Sequence, residues 1–176
     1  MKKVIGIDPG LNNTGWGILS FNNIYDISLV ESGVISTLKE SNTSDKLHKI
    51  YVSLTKIIQS YNIDEASIEK IFININPKSS ISLCYARGIS LLSLRISGIP
   101  ISEYSPTFIK KSITGNGHAT KNQILFMINN TLKCKNFPKY DISDALAVAI
   151  CHIYCFKYKK QQEINNSFPK NTNAKT

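Results

Sequence analysis

The apolar positions of this 176-residue chain change period in a fixed order, and that order limits the available folds more than any other feature. Residues 4–8 form a short apolar run, Val4-Ile5-Gly6-Ile7, stopped at Asp8 by Pro9-Gly10. Thr14–Phe21 and Ile24–Ile35 follow as strand-like segments joined through Asn22-Asn23, which predicts an antiparallel meander. The period then becomes helical. Leu47, Ile50, Tyr51, Leu54, Ile57, Ile58 and Tyr61 recur on one face after the capping cluster Thr43-Ser44-Asp45, predicting a helix over about 45–61.

The remaining segments alternate. A fourth strand is expected near 67–73, ended by Asn74–Pro77, then a helix over about 79–97 and a fifth strand at Pro100–Tyr104. Ser105-Pro106 starts a third helix, with proline at its first position. After the loop Gly115-Asn116-Gly117-His118, helices are predicted over about 120–133 and 141–158, and residues 159–176 read as a basic, disordered tail. The order β-β-β-α-β-α-β-α-α-α describes one α/β domain, residues 1–158, with a five-stranded mixed sheet flanked by helices.

Four carboxylates stand out against that framework. Asp8 ends an apolar strand, Glu69 lies in the fourth strand, where a solvent-facing Glu would need no special reason, and Asp141 and Asp144 open the long apolar stretch Ala145–Ile150. A D-x-x-D pair at a helix start is commonly a cap, since the helix dipole favours anions there. Asp8 has no such explanation, and burying an unpaired carboxylate costs several kcal/mol. If strands one and four are neighbours and the last helix crosses their ends, all four acids meet in an oxygen-rich site suited to Mg²⁺ or Mn²⁺. Two such ions can activate water and stabilise the leaving oxygen in phosphodiester hydrolysis.

Charge points to a polyanionic partner. The chain carries 21 Lys plus Arg against 12 Asp plus Glu, a net +9, of which +4 belongs to residues 157–176. Only Arg87 and Arg95 are arginines, and lysines hold phosphate as point charges rather than reading base edges in a fork. No apolar run is long enough to span a bilayer, and the opening MKKVIGIDPG breaks before a signal-peptide core could form, so no membrane association and a cytoplasmic location are expected. Cys84, Cys134, Cys151 and Cys155 show no zinc-type pairing and read as reduced thiols, and Cys151 and Cys155, beside His152, as core residues.

At these residues the chain resembles the bacterial crossover-junction (Holliday junction) resolvase family, RuvC. The likeness runs through Gly6-Ile7-Asp8-Pro9-Gly10, Thr14-Gly15-Trp16-Gly17, Ile68-Glu69-Lys70-Ile71-Phe72, Asn76-Pro77-Lys78-Ser79, Ala86-Arg87-Gly88, Ile109-Lys110, Gly115-x-Gly117-His118-Ala119-x-Lys121 and Asp141-x-x-Asp144-Ala145-Leu146-Ala147, covering about residues 2–156. The resemblance implies a ribonuclease H-like fold and a homodimer that nicks symmetrically related strands of a four-way DNA junction in recombination and repair. It implies Asp8, Glu69, Asp141 and Asp144 as metal-binding catalytic acids, with two Mg²⁺ per site and Mn²⁺ as a substitute. By the same resemblance Phe72 wedges against bases near the crossover, Lys78, Arg87, Lys110 and Lys121 contact DNA, and the RuvA and RuvB junction-processing proteins are partners. Two positions depart from the family pattern: Ile75 where a basic residue is usual, and Thr120 where an acidic one often precedes the lysine.

Two other classes fit parts of the chain. A junction-binding protein without cleavage would share the basic charge but has no use for four intact acids. An actin-like ATPase would share the Asp8-Pro9-Gly10 turn, yet 176 residues cannot supply its two lobes and no second phosphate motif is present.

Overall fold

A computed structural model describes the backbone of residues 1–71, 77–134 and 140–167, and the side chains of those spans except 77–78, 140 and 157–167. Ten elements follow in the expected order: β1 (Lys2–Asp8), β2 (Asn13–Asn23), β3 (Asp26–Ser36), α1 (Thr43–Tyr61), β4 (Glu65–Glu69), α2 (Pro77–Ile96), β5 (Ile101–Tyr104), α3 (Pro106–Thr114), α4 (Lys121–Leu132) and α5 (Tyr140–Ser167). The sheet order is β3-β2-β1-β4-β5. β1 pairs antiparallel with β2 and parallel with β4, and β4 pairs parallel with β5, so the meander is extended by helical crossovers.

Several boundaries shift for local reasons. The β2–β3 turn sits at Ile24-Tyr25, because Asn23 and Asp26 already pair and the Asn23 side chain accepts from the Tyr25 N–H at 2.8 Å. Helix α1 is capped by Asn42, whose Oδ1 accepts from the Asp45 N–H at 2.9 Å, one residue before the expected cluster. Strand β4 begins at Glu65, two residues before the expected start, and ends at Glu69, with Lys70 and Ile71 beyond it; residues 72–73 of the expected strand lie outside the described residues. Helix α5 continues to Ser167, past the expected end at 158, through Lys, Gln and Glu residues that are good helix formers. Residues 168–176 of the expected tail lie outside the described residues, as do Phe72, Ile75 and the side chain of Lys78.

The sheet has a core on each face. Ile5, Ile7, Ile18, Ala66 and Ile68 pack against Ile50, Leu54 and Ile58 of α1 and Leu94 of α2. Val4, Leu19 and Phe21 face the other way, onto Leu146, Ile150 and Ile153 of α5, with Ile109 and Ile113 of α3 and Ile124 and Ile128 of α4 completing that layer. Strand side chains alternate between faces, so Val4, Gly6 and Asp8 share the α5 face, as do Glu65, Ser67 and Glu69.

Two glycines let α5 lie directly on the strands. A Cβ on Gly6 would overlap the Ala145 carbonyl oxygen, and one on Gly15 the Asp141 carbonyl oxygen. Gly17 leaves room for Leu146, whose Cδ2 would be 2.5 Å from an added Cβ. Backbone thus approaches backbone along β1 and β2, and this contact sets the depth and position of the first turn of α5.

Candidate active site

The parallel register Ile7↔Ile68 puts Asp8 and Glu69 at the same end of adjacent strands, both on the α5 face. The first turn of α5, seated against Gly15, brings Asp141 and then Asp144 over that end. The four acids are close enough to perturb one another. Burial foremost, then Asp144, Glu69 and Asp141 in that order, pushes the Asp8 carboxyl up from 3.8 to about 7, against a smaller opposing effect of Lys121. Burial, then Asp144, also raises Glu69, while Lys110 and Lys121 lower it. A cleft of about 250 Å³ is lined by Asp8, Pro9, Glu69, Lys70, Leu83 and Pro106. A larger cavity of about 500 Å³, lined by Lys2, Phe21, Tyr25 and Phe156 among others, involves none of these acids.

Lysines complete the site. Lys121 Nζ lies 3.3 Å from Asp144 Oδ2, and the neighbouring carboxylates, Asp144 foremost, hold the ammonium above its usual range. Thr120, immediately before it, is the N-cap of α4 and forms a capping box with Gln123. The departure from an acidic residue there therefore retains a good cap. Lys110, on α3, is near enough to lower Glu69.

Arg87 is placed differently from the lysines. Its Nε donates to the Glu69 carbonyl oxygen at 3.2 Å and its Nη2 pairs with the Glu103 carboxylate, with only 15 % of the side chain exposed. The guanidinium ties α2 to the ends of β4 and β5 beside Glu69. The Glu103 partner leaves no mark in the sequence, since a 16-residue separation between helix and strand has no local periodicity.

A second polar group under α5 was also not anticipated. His152, 2 % exposed, has Nδ1 2.8 Å from Tyr104 Oη and Nε2 3.0 Å from Glu65 Oε2, while Lys2 pairs with Glu65 at 2.9 Å. The alternation that puts Glu69 on the α5 face puts Glu65 there too. This network joins β4, β5 and α5, leaving His152 engaged with the sheet as a core residue.

The donor set fits a hard divalent cation. All four donors are carboxylates, one is largely buried, and their mutual repulsion is the kind that a bound cation relieves. Among the described residues no three His, Cys, Asp or Glu side chains stand closely enough to hold an ion as they are placed, so ligation by three of the acids requires rotation of their side chains. Also among the described residues, no helix is long and apolar enough to cross a membrane.

Comparison with known proteins agrees with the geometry. The family profile described as crossover junction endodeoxyribonuclease RuvC matches residues 4–152. A RuvC of Ehrlichia ruminantium (strain Gardel) is 58 % identical over 156 residues, covering 88 % of this chain and 98 % of the relative. One from Anaplasma marginale (strain St. Maries) is 55 % identical, covering 86 % of this chain and 93 % of the relative. The fold matches Thermus thermophilus RuvC in complex with a Holliday junction substrate, with a TM-score of 0.85 at 23 % identity, covering 90 % and 97 % of the two chains. The fold is accordingly ribonuclease H-like, with the five-stranded mixed sheet expected from the sequence. With a profile spanning most of the chain and relatives more than half identical along nearly their whole length, this chain belongs to the RuvC family of crossover junction endodeoxyribonucleases.

Proposed function

We propose that this chain is a Mg²⁺-dependent endonuclease that resolves four-way DNA junctions by paired, symmetric nicks, with Asp8, Glu69, Asp141 and Asp144 holding two ions per site and Mn²⁺ able to substitute. The observation that carries the reading is the convergence of those four acids at one sheet end in a chain of this family. The ions would supply an activated water and charge for the departing oxygen. Lys110 and Lys121 then hold the phosphate backbone of the cut strand, drawing the polyanion towards a site whose acids would otherwise repel it. Phe72 and Lys78 are assigned base-wedging and phosphate contacts by their motif positions, and Arg87 a place at the edge of the same DNA-facing end.

Symmetric cutting calls for two copies. Ile81, Tyr85, Leu92 and Ile96 are each about half exposed and, with Gly88 between them, form one stripe along α2, where an added Cβ on Gly88 would meet nothing within 4 Å. That stripe suits helix-to-helix packing in a homodimer, and Leu92→Glu should shift the protein towards monomer in light scattering. Coupling to RuvA and RuvB, a cytoplasmic location and work on the nucleoid complete the proposal.

The test is a labelled immobile four-way junction beside linear duplex, with Mg²⁺ or EDTA. Paired nicks confined to the junction, lost with EDTA and with Asp8→Asn, are expected. Tight binding without nicks in Mg²⁺ or Mn²⁺ would replace the nuclease reading with a junction-binding one.

A further inference from the structure

The unit formed by α3, the following loop and α4 has features that cleavage itself does not use. From Ser105 to Cys134 the chain carries four lysines, Lys110, Lys111, Lys121 and Lys133, and no Asp or Glu, so this surface is complementary to a polyanion. Between the end of α3 and the first turns of α4 lies a cavity of about 390 Å³, lined by Thr114, Asn116, Asn122, Gln123, Phe126 and Met127 among others. Helix α4 buries Ile124, Ile128 and Leu132, whereas Phe126 is 64 % exposed. An aromatic ring left open on a helix whose apolar face is already packed has no part in the core.

The amides beside it are partly committed. Gln123 Oε1 accepts from the Thr120 N–H at 2.9 Å, and Asn116 Oδ1 accepts from the His118 N–H at 3.0 Å. The group each then offers a ligand is its amide NH₂, a donor matched to the ring-nitrogen and carbonyl acceptors on base edges. Asn122, four residues before Phe126, shares its side of α4. Lys121, the residue before Asn122, contacts Asp144, so the first turn of α4 carries both a residue that touches the acid cluster and residues that line the cavity.

We propose that this cavity is a nucleobase subsite: an unpaired base of the cleaved strand, flanking the cut phosphodiester, stacks on Phe126 and accepts hydrogen bonds from the Asn116, Asn122 and Gln123 amides. The assignment rests on the DNA-cleavage reading above and adds a specificity-determining contact to it. Stacking on an aromatic tolerates any base, while NH₂ donors favour those presenting carbonyl or ring-nitrogen acceptors, so the pocket contributes preference rather than a strict code.

The experiment places 2-aminopurine at successive positions flanking the crossover of a four-way junction and titrates the full-length protein in EDTA. Wild type and Phe126→Trp should change the fluorescence at one position, and Phe126→Ala should not. Junction Kd should rise roughly 5- to 150-fold with Phe126→Ala, the range of one lost base stack. An abasic site at that position should remove the difference between wild type and Phe126→Ala. Unchanged binding by Phe126→Ala, a loss that persists with an abasic site at every position, or a shift in oligomeric state showing that the ring contacts a second copy would each overturn the subsite. Wild-type cutting of the junction in Mg²⁺ separates the two levels: cutting without a Phe126-dependent position refutes the subsite alone, and no cutting refutes the parent reading with it.

Discussion

Arg87 Nε donates to the main-chain oxygen of Glu69 across 3.2 Å, so an arginine on α2 fixes the strand end from which the Glu69 carboxylate projects. The same guanidinium pairs with Glu103 on β5, which lies beside Ile68 in the parallel register. Such outer contacts typically support activity by about 10- to 100-fold. Arg87→Ala should therefore lower single-turnover cleavage by roughly that factor while leaving junction Kd and its salt slope close to wild type. A direct phosphate contact would behave otherwise, weakening binding and reducing the salt slope by about 1. Arg87→Lys should recover little, because an ammonium cannot serve the carbonyl and the carboxylate in the same planar geometry.

Asp8 links activity to stability with opposite signs. Its carboxyl titrates at about 7 in the folded protein against 3.8 ordinarily, so the protonated form is favoured by folding. The stabilisation is fully present below about 3.8 and disappears as pH rises through 7. In EDTA, Asp8→Asn should be more stable than wild type at pH 8, by about 2–4 kcal/mol, and nearly equal to it at pH 3.5. Mg²⁺ should raise the wild-type Tm and move the Asp8→Asn Tm much less. Equal Tm values for the two proteins at pH 8 would show that the site relaxes enough to accommodate the charge.

Sheet and helices were legible because each element carries its own period, and the acid site was partly legible because alternation along β1 and β4 places Asp8 and Glu69 on one face. Three kinds of information were not. Arg87 with Glu103, and His152 with Tyr104 and Glu65, are long-range pairs whose partners have no common local pattern. The cap of α1 was misplaced because Asn42, Thr43, Ser44 and Asp45 are all good capping residues, and only backbone geometry selects Asn42. The need for glycine at positions 6 and 15 comes from α5 resting on the strands, a long-range contact with no local pattern.

His152 should be structural rather than catalytic. Replacing it with Phe leaves the Tyr104 hydroxyl and the Glu65 carboxylate short of a partner beneath α5, at about 2–3 kcal/mol. Burial pushes the Glu65 carboxyl up, but hydrogen bonds from Lys2 and His152 outweigh it and leave the group below its usual range. That stabilisation is present above the ordinary value of 4.5 and is lost as pH falls through the depressed folded value. Urea unfolding of wild type and Glu65→Gln should accordingly differ most near neutrality and converge in acid. A difference that stays constant with pH would assign the effect to packing instead.

The contact of α5 with the sheet gives the most direct test of how the site is assembled. A methyl on Gly15 has no room, because the Asp141 carbonyl oxygen occupies its place, and the obstacle is backbone rather than a movable side chain. Gly15→Ala must lift the first turn of α5 from β2, and Asp141 and Asp144 ride on that turn. Overpacking of this kind costs about 1–3 kcal/mol or more. Cleavage should fall further than stability, by about 10²-fold or more, since a displacement near 1 Å of catalytic groups is enough for such a loss. Gln59→Ala, on the exposed side of α1 and away from the acids and the α2 stripe, is the control and should stay within about 0.5 kcal/mol of wild type. Thermal unfolding and single-turnover cleavage of the two variants separate the effects: a Gly15→Ala protein that keeps wild-type cleavage would mean that α5 does not set the position of the two aspartates.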